Sequence, residues 1–104
     1  MAKFQFIAVP LTSIEVSPGG FTCRSMEIMS AKTIRRTFDA RKLDDVETAF
    51  SAICDEVAKG GESWSAWCDT VRGERAPGGF RQAKDGKRFT RDINPERVTV
   101  KKAA

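Results

Sequence analysis

Residues 43–59, "LDDVETAFSAICDEVAK", are the stretch on which the predicted fold rests. Apolar residues recur in it at spacings of three and four, the period of an amphipathic helix: Leu43, Val46, Phe50, Ile53 and Val57. Acidic residues follow its start, Lys59 and two glycines follow its end, and Asp39 is placed to cap it, as helix termini favour. The pattern predicts one long helix over about residues 40–59, with an apolar stripe that another layer must cover.

The segments before this helix are typical of β-strands. Residues 3–9, "KFQFIAV", are rich in aromatic and branched side chains, and residues 17–20, "SPGG", form a turn signal between two further extended runs. Residues 32–38, "KTIRRTF", carry two adjacent arginines, which is typical of a strand at a sheet edge. We therefore expect a small antiparallel sheet in the first part of the chain.

After the long helix, "ESWSAWCDTV" places Trp64, Trp67, Cys68 and Val71 at helical spacing, which predicts a short helix over about residues 63–71 with both tryptophans in the core. "FRQAKDGKRFTR", residues 80–91, predicts a basic β-hairpin that turns at Asp85-Gly86. A last strand is expected near residues 96–102. The predicted fold class is α+β: both helices pack on one face of the sheet, and residues 1–104 form a single domain with a C-terminal basic hairpin.

The composition disfavours several classes of protein. No apolar run reaches the roughly 20 residues of a membrane span, and no signal peptide is recognised, so we expect a cytoplasmic protein without a membrane partner. Three cysteines without histidine or a CxxC pair predict reduced thiols and no metal site. No phosphate loop, dinucleotide fingerprint or nucleophile elbow is present. The chain is therefore predicted to be non-enzymatic, with no cofactor and no small-molecule ligand.

Charge is divided unevenly along the chain. Residues 1–71 hold 8 basic and 10 acidic side chains, whereas residues 72–104 hold 10 basic and 4 acidic ones. The basic C-terminal region, residues 72–102, thus carries a net charge of +6 against −2 in the rest. Such a segment favours an anionic partner.

The predicted hairpin offers the most specific site for that partner. Six cations are expected to neutralise nucleic-acid phosphates: Arg81, Lys84, Lys87, Arg88, Arg91 and Arg97. Phe80 and Phe89, diagonal neighbours on one hairpin face, are expected either to stack on unpaired bases or to reach into the core beneath the basic side chains. The sequence alone leaves these two roles of the phenylalanines open.

Two other classes of function fit the same residues. In a protein-binding regulator or inhibitor of the mobile-element or viral type, the basic surface meets an acidic surface of a nucleic-acid-handling complex. In a structural subunit, the edge strand around residues 32–38 assembles copies of the chain. Nucleic acid is the leading predicted partner.

Overall fold

The sheet is organised around one long strand, β1, in the computed structural model of the chain. The structure describes the backbone of residues 1–102 and the side chains of residues 1–98. In chain order the elements are β1 (Ala2–Val16), β2 (Thr22–Met26), β3 (Ile34–Ala40), α1 (Leu43–Ala58), β4 (Trp64–Thr70), α2 (Phe80–Asp85), β5 (Thr90–Ile93), a 3-10 turn (Pro95–Arg97) and β6 (Thr99–Lys102). The fold is α+β: five antiparallel strands, joined by the parallel strand β6, with two helices, of which one is long.

β1 has a strand on each edge along both of its halves. Its first half pairs antiparallel with β3 and with β4, and β5 extends the sheet beyond β4. Its second half pairs with β2 and, in parallel, with β6. The residues that face α1 are buried at every second position, namely Ala2, Phe4, Phe6 and Ala8. This period of two is the signature of a strand with one face in the core.

α1 covers the inner face of the sheet through its apolar stripe. Val46, Phe50 and Cys54 are buried, and the ring of Phe50 lies 5.6 Å from that of Phe6. The helix begins at Leu43 rather than near residue 40, because residues up to Ala40 pair with β1. Its first turn is held by the Asp45 carboxylate, which accepts the backbone N–H groups of residues 41 and 42, and not by Asp39.

The predicted short helix over residues 63–71 is wrong, because this segment is the strand β4. Trp64, Ala66 and Cys68 alternate with more polar residues and are buried on the inner face, a period of two that the helical spacing of the tryptophans obscured. A helix of nine residues is marginal by itself. Two backbone ladders, to β1 and to β5, stabilise the strand instead.

The predicted C-terminal basic hairpin is also wrong. Residues 80–85 form the short helix α2, and only residues 90–93 form a strand, which pairs with β4. Arg, Gln, Ala and Lys are good helix formers, and Gly86, expected in a hairpin turn, ends the helix with its N–H on the carbonyl of Gln82. Lys87 then reverses the chain at φ 61°. β5 pairs with β4 instead of with residues 80–84, and this pairing extends the sheet whose inner face is buried.

The edge strand predicted around residues 32–38 is confirmed as β3, which pairs with β1 alone within residues 1–102. No helix of the described chain is long and apolar enough to cross a membrane.

Candidate nucleic-acid interface

Phe80 and Phe89, the two aromatic residues expected at the site, lie in the core. They are 3% and 0% exposed, and their rings stack at 5.1 Å. Phe80 also packs edge-on against Phe4, whose ring stacks on that of Phe38. The four rings form a continuous row from the turn before β5 through α2 and β1 to β3, so the phenylalanines anchor α2 and cannot stack on bases.

Lys84 is bound to a carboxylate of its own chain. Its Nζ lies 2.6 Å from Oδ2 of Asp69, at the end of β4. Burial by itself raises the pKa of Asp69, but hydrogen bonds from Lys84 and from the backbone of Thr70 outweigh it and hold that pKa below its ordinary value. The carboxylate is therefore ionised at neutral pH and competes with phosphate for this lysine.

Arg88 and Arg91 turn towards α1. The Arg88 guanidinium binds the carboxylates of Asp44 and Glu47, and the hydrogen bond to Glu47 is the main reason that its pKa is raised. Arg91 lies over the ring of Phe50 and 3.9 Å from a carboxylate oxygen of Asp55. Both arginines thus connect α1 to the turn and the strand that follow α2.

The other three expected cations, Arg81, Lys87 and Arg97, are exposed and form no ion pair within residues 1–98. They lie on α2, in the turn before β5 and in the 3-10 turn, respectively. The side chains of Lys101 and Lys102, which complete the basic region, are outside the described residues. The six cations therefore do not belong to one hairpin and are distributed over α2, β5 and the two turns on either side of β5.

The sheet face opposite α1, here called the outer face, presents a different set of side chains. Both helices of the described chain pack on the inner face, through Phe50 of α1 and Phe80 of α2. On β1 the alternate residues Lys3, Gln5 and Ile7 are exposed or half-buried, in contrast to their buried neighbours. The outer face is therefore open along Lys3, Gln5 and Ile7, whereas Val9, the next residue of β1 on this face, is only 2% exposed. The open part of the face is available for a partner.

One row of residues crosses this outer face from edge to edge. Arg35 of β3 pairs with Ile7 of β1, Ile7 pairs with Trp67 of β4, and Trp67 pairs with Thr90 of β5. Directly paired residues share a face, so the four side chains lie side by side. Trp67 and Ile7 are half-buried, whereas Arg35 and Thr90 are exposed. The row places a large aromatic ring in the middle of the open face.

Cations lie at the β5 end of the row. Lys87 and Arg91 line a hollow of about 320 Å³ together with Thr90, Ser65 and the ion pair between Arg24 and Asp92. The Arg24 Nε donates to Asp92 Oδ2 at 2.5 Å, although β2 and β5 are not neighbours in the sheet. β2 therefore leans over this end of the outer face, and Arg35 and Lys87 mark the two ends of the row with positive charge.

A cleft of about 990 Å³ lies between the end of β4 and α2. Its charged lining residues are balanced, three basic and three acidic: Arg75, Arg81, Lys84, Asp69, Glu74 and Asp85. A lining of this kind does not favour an anion over a cation. The outer face is the stronger candidate because its aromatic ring lies between two cations, Arg35 in the row and Lys87 beside Thr90, that form no ion pair within residues 1–98.

The prediction that both tryptophans lie in the core is wrong for Trp67, which is half-buried on the outer face. The sequence predicted only that Arg35 lies on an edge strand. The signal for Trp67 was its odd separation from Trp64: in a strand, residues three apart point to opposite faces. Only one of the two tryptophans can then be in the core.

No known protein family, curated protein or solved structure matches this chain.

Proposed function

We propose that the protein binds single-stranded nucleic acid across the outer face of its sheet. The observation that carries this proposal is the position of Trp67, half-buried on a helix-free sheet face in a row that ends in Arg35. Sheet platforms of this type bind unpaired bases by stacking them on aromatic side chains. A duplex hides the faces of its bases, so a single strand is the better ligand.

The dimensions and charges of the outer face support this proposal. Four strands span about 14 Å from β3 to β5 at the usual strand spacing, a width over which known sheet platforms stack two or three bases. Arg35 and Lys87 stand at opposite ends of the row and form no ion pairs in the part of the chain with described side chains. They are the cations best placed to contact phosphates on either side of a base that stacks on Trp67.

The rest of the basic region contributes in a less specific way. Its net charge of +6 attracts a polyanion from a distance, even though Lys84, Arg88 and Arg91 are bound to carboxylates at short range. The three free thiols suit a cytoplasmic location, where cysteines stay reduced. The proposed partner is therefore the one predicted from the sequence, nucleic acid, but the proposed contact surface is the outer face instead of residues 80–91.

Fluorescence anisotropy of a labelled single-stranded oligonucleotide, as DNA and as RNA, tests the proposal. Trp67→Ala should weaken binding by about 1–3 kcal/mol, or roughly 5- to 150-fold, because one stacked base is lost. Trp67→Phe keeps an aromatic ring and should lose less. Replacing both Arg35 and Lys87 with Ala should reduce the slope of log affinity against log salt by about 1.4, since each phosphate contact on a single strand contributes about 0.7.

Lys59→Ala is the matched control, because it removes an exposed cation at the end of α1, on the opposite layer. It should leave both the affinity and the salt slope close to those of the unchanged protein. Binding that is unaffected by Trp67→Ala, or that favours duplex over single strand, contradicts the proposal. A protein partner that survives nuclease treatment of an extract favours the alternative of an acidic protein surface.

A further inference from the structure

Most of the large apolar side chains that are exposed within residues 1–98 lie in one short stretch of the sequence. Of the five large hydrophobic residues that are exposed within residues 1–98, four fall in the nine-residue stretch 21–29. These are Phe21 at 77% exposure, Met26 at 39%, Ile28 at 65% and Met29 at 97%. They belong to the arm, defined as residues 11–33, which comprises the second half of β1, its turn, β2 and the loop to β3. Phe21 precedes β2, and Ile28 and Met29 follow it, so exposed apolar side chains lie at both ends of this strand. Exposed apolar side chains grouped in one segment are typical of an interaction surface.

The same arm presents an unprotected strand edge. β2 pairs with β1 on one side only, so its other side has no strand partner within residues 1–102. All five residues of β2 are exposed, and its sequence "TCRSM" has no lysine or proline to protect the edge. Its one charged residue, Arg24, is bound to Asp92. β3 carries the adjacent arginines 35 and 36, and β6 includes two lysines. β2 is therefore the edge where added backbone hydrogen bonds are least opposed.

Charge indicates which partner this edge fits. The arm holds two acidic and two basic side chains, Glu15, Glu27, Arg24 and Lys32, which balance, so the whole excess of +4 lies on the rest of the chain. Phosphate or an anionic membrane has nothing to attract it to a neutral apolar surface. Two copies of the chain repel each other through their basic bodies. β6, which includes residues 101 and 102, pairs with one edge of β1 in the arm, and β2 pairs with the opposite edge, so an approach through β2 is the one that meets the least positive charge.

We propose that the protein forms a two-fold dimer in which β2 of one copy pairs antiparallel with β2 of a second copy. An apolar, neutral patch is complementary to itself, as a two-fold interface requires. The pairing supplies hydrogen-bond partners to both free edges of β2 and removes Phe21, Ile28 and Met29 of both copies from water. The free edge of β2 is a different surface from the row around Trp67, although Arg24 of β2 also binds Asp92 at the β5 end of that row. The dimer is tested independently of oligonucleotide binding.

The cysteines of the chain provide a direct test. Cys23 lies in the middle of β2 and is exposed, whereas Cys54 and Cys68 are buried. A short-spacer bismaleimide should therefore join two copies through Cys23 and yield a product of twice the 11.5 kDa chain mass. The product should disappear in Cys23→Ser. Sedimentation velocity on the unlabelled chain should show the same dimer at micromolar concentration.

A double variant, Phe21→Glu with Ile28→Glu, should weaken dimerisation by about tenfold or more, because it places like charges in the apolar patch. The matched control, Ala52→Glu with Gln82→Glu, adds the same charge at exposed positions of α1 and α2 and should leave the dimer intact. Circular dichroism verifies that both variants are folded. A chain that is monomeric at all micromolar concentrations overturns the proposal and leaves the arm to a different partner. A dimer that persists in the double arm variant also overturns it.

Discussion

Replacing Phe89 with alanine should remove a large part of the stability of this protein. Phe89 is 0% exposed, and its ring stacks at 5.1 Å on Phe80, which contacts Phe4. Truncation of a buried phenylalanine costs the transfer free energy of its ring and that of the cavity left behind, together about 3–5 kcal/mol. Domains of this size unfold with about 5–15 kcal/mol, so the loss is at least about a fifth of the total.

Urea unfolding followed by circular dichroism measures this loss. With a slope of about 2 kcal/mol per molar urea, a cost near 4 kcal/mol lowers the midpoint by about 2 M. The effects of truncating the two stacked rings should not be additive. Phe80→Ala combined with Phe89→Ala should lower the free energy of unfolding by less than the sum of the two single changes, because each removes the same stacked contact.

Gln82→Ala is the control, since it truncates an exposed side chain of α2, the helix that Phe80 anchors. Its free energy of unfolding should change by no more than about 0.5 kcal/mol. The reasoning is refuted if Phe89→Ala costs less than about 1 kcal/mol. In that case the ring is not part of the core, and a role for it on a basic binding face becomes open again.

The remaining predictions concern the cysteines and Asn94. A thiol reagent at neutral pH should modify one cysteine of the native chain, Cys23, and three in denaturant, because burial raises the pKa of Cys54 to about 11 and that of Cys68 to about 12. Both pKa values exceed the ordinary value of 9.0, so the neutral thiols contribute their full stabilisation below about pH 9. This contribution declines as the pH rises towards 11 and 12. A urea midpoint that stays constant over this range contradicts the prediction. Asn94→Ala should cost about 1–3 kcal/mol in urea unfolding, because Asn94 has φ 48° and its Nδ2 donates at 3.0 Å to the carbonyls of Ala58 and Glu62. Asn94→Gly restores the backbone freedom and should cost less than Asn94→Ala; equal costs would show that the positive φ is not a burden.

Sequence reasoning succeeded where one local pattern dominated. The spacing of Val46, Phe50 and Ile53 has a single explanation, and α1 forms where it predicts, apart from its first turn. The arginines at 35 and 36 likewise indicated an edge strand. Sequence reasoning failed where two periods competed: the tryptophans of "WSAWCDT" fit a helix, while Trp64, Ala66 and Cys68 fit a strand.

The site was mislocated for the same reason. The Asp85-Gly86 pair suits both a two-residue hairpin turn and the end of a helix, and nothing within residues 80–91 decides between these two structures. The decision depends on whether β5 pairs with residues 80–84 or with β4, which is distant in the sequence. With that pairing, Phe80 and Phe89 moved into the core and the expected binding face was lost.

By itself, the sequence determined the α+β class, the long helix, the edge strand and the excess of positive charge after residue 71, because each depends on composition or on one local period. Only the tertiary structure decided that Trp67 lies on the outer face beside Ile7, that Lys84, Arg88 and Arg91 bind carboxylates of their own chain, and that the apolar residues of the arm are exposed. These features depend on which strand lies beside which. Strand pairing joins residues tens of positions apart, and no local pattern encodes it.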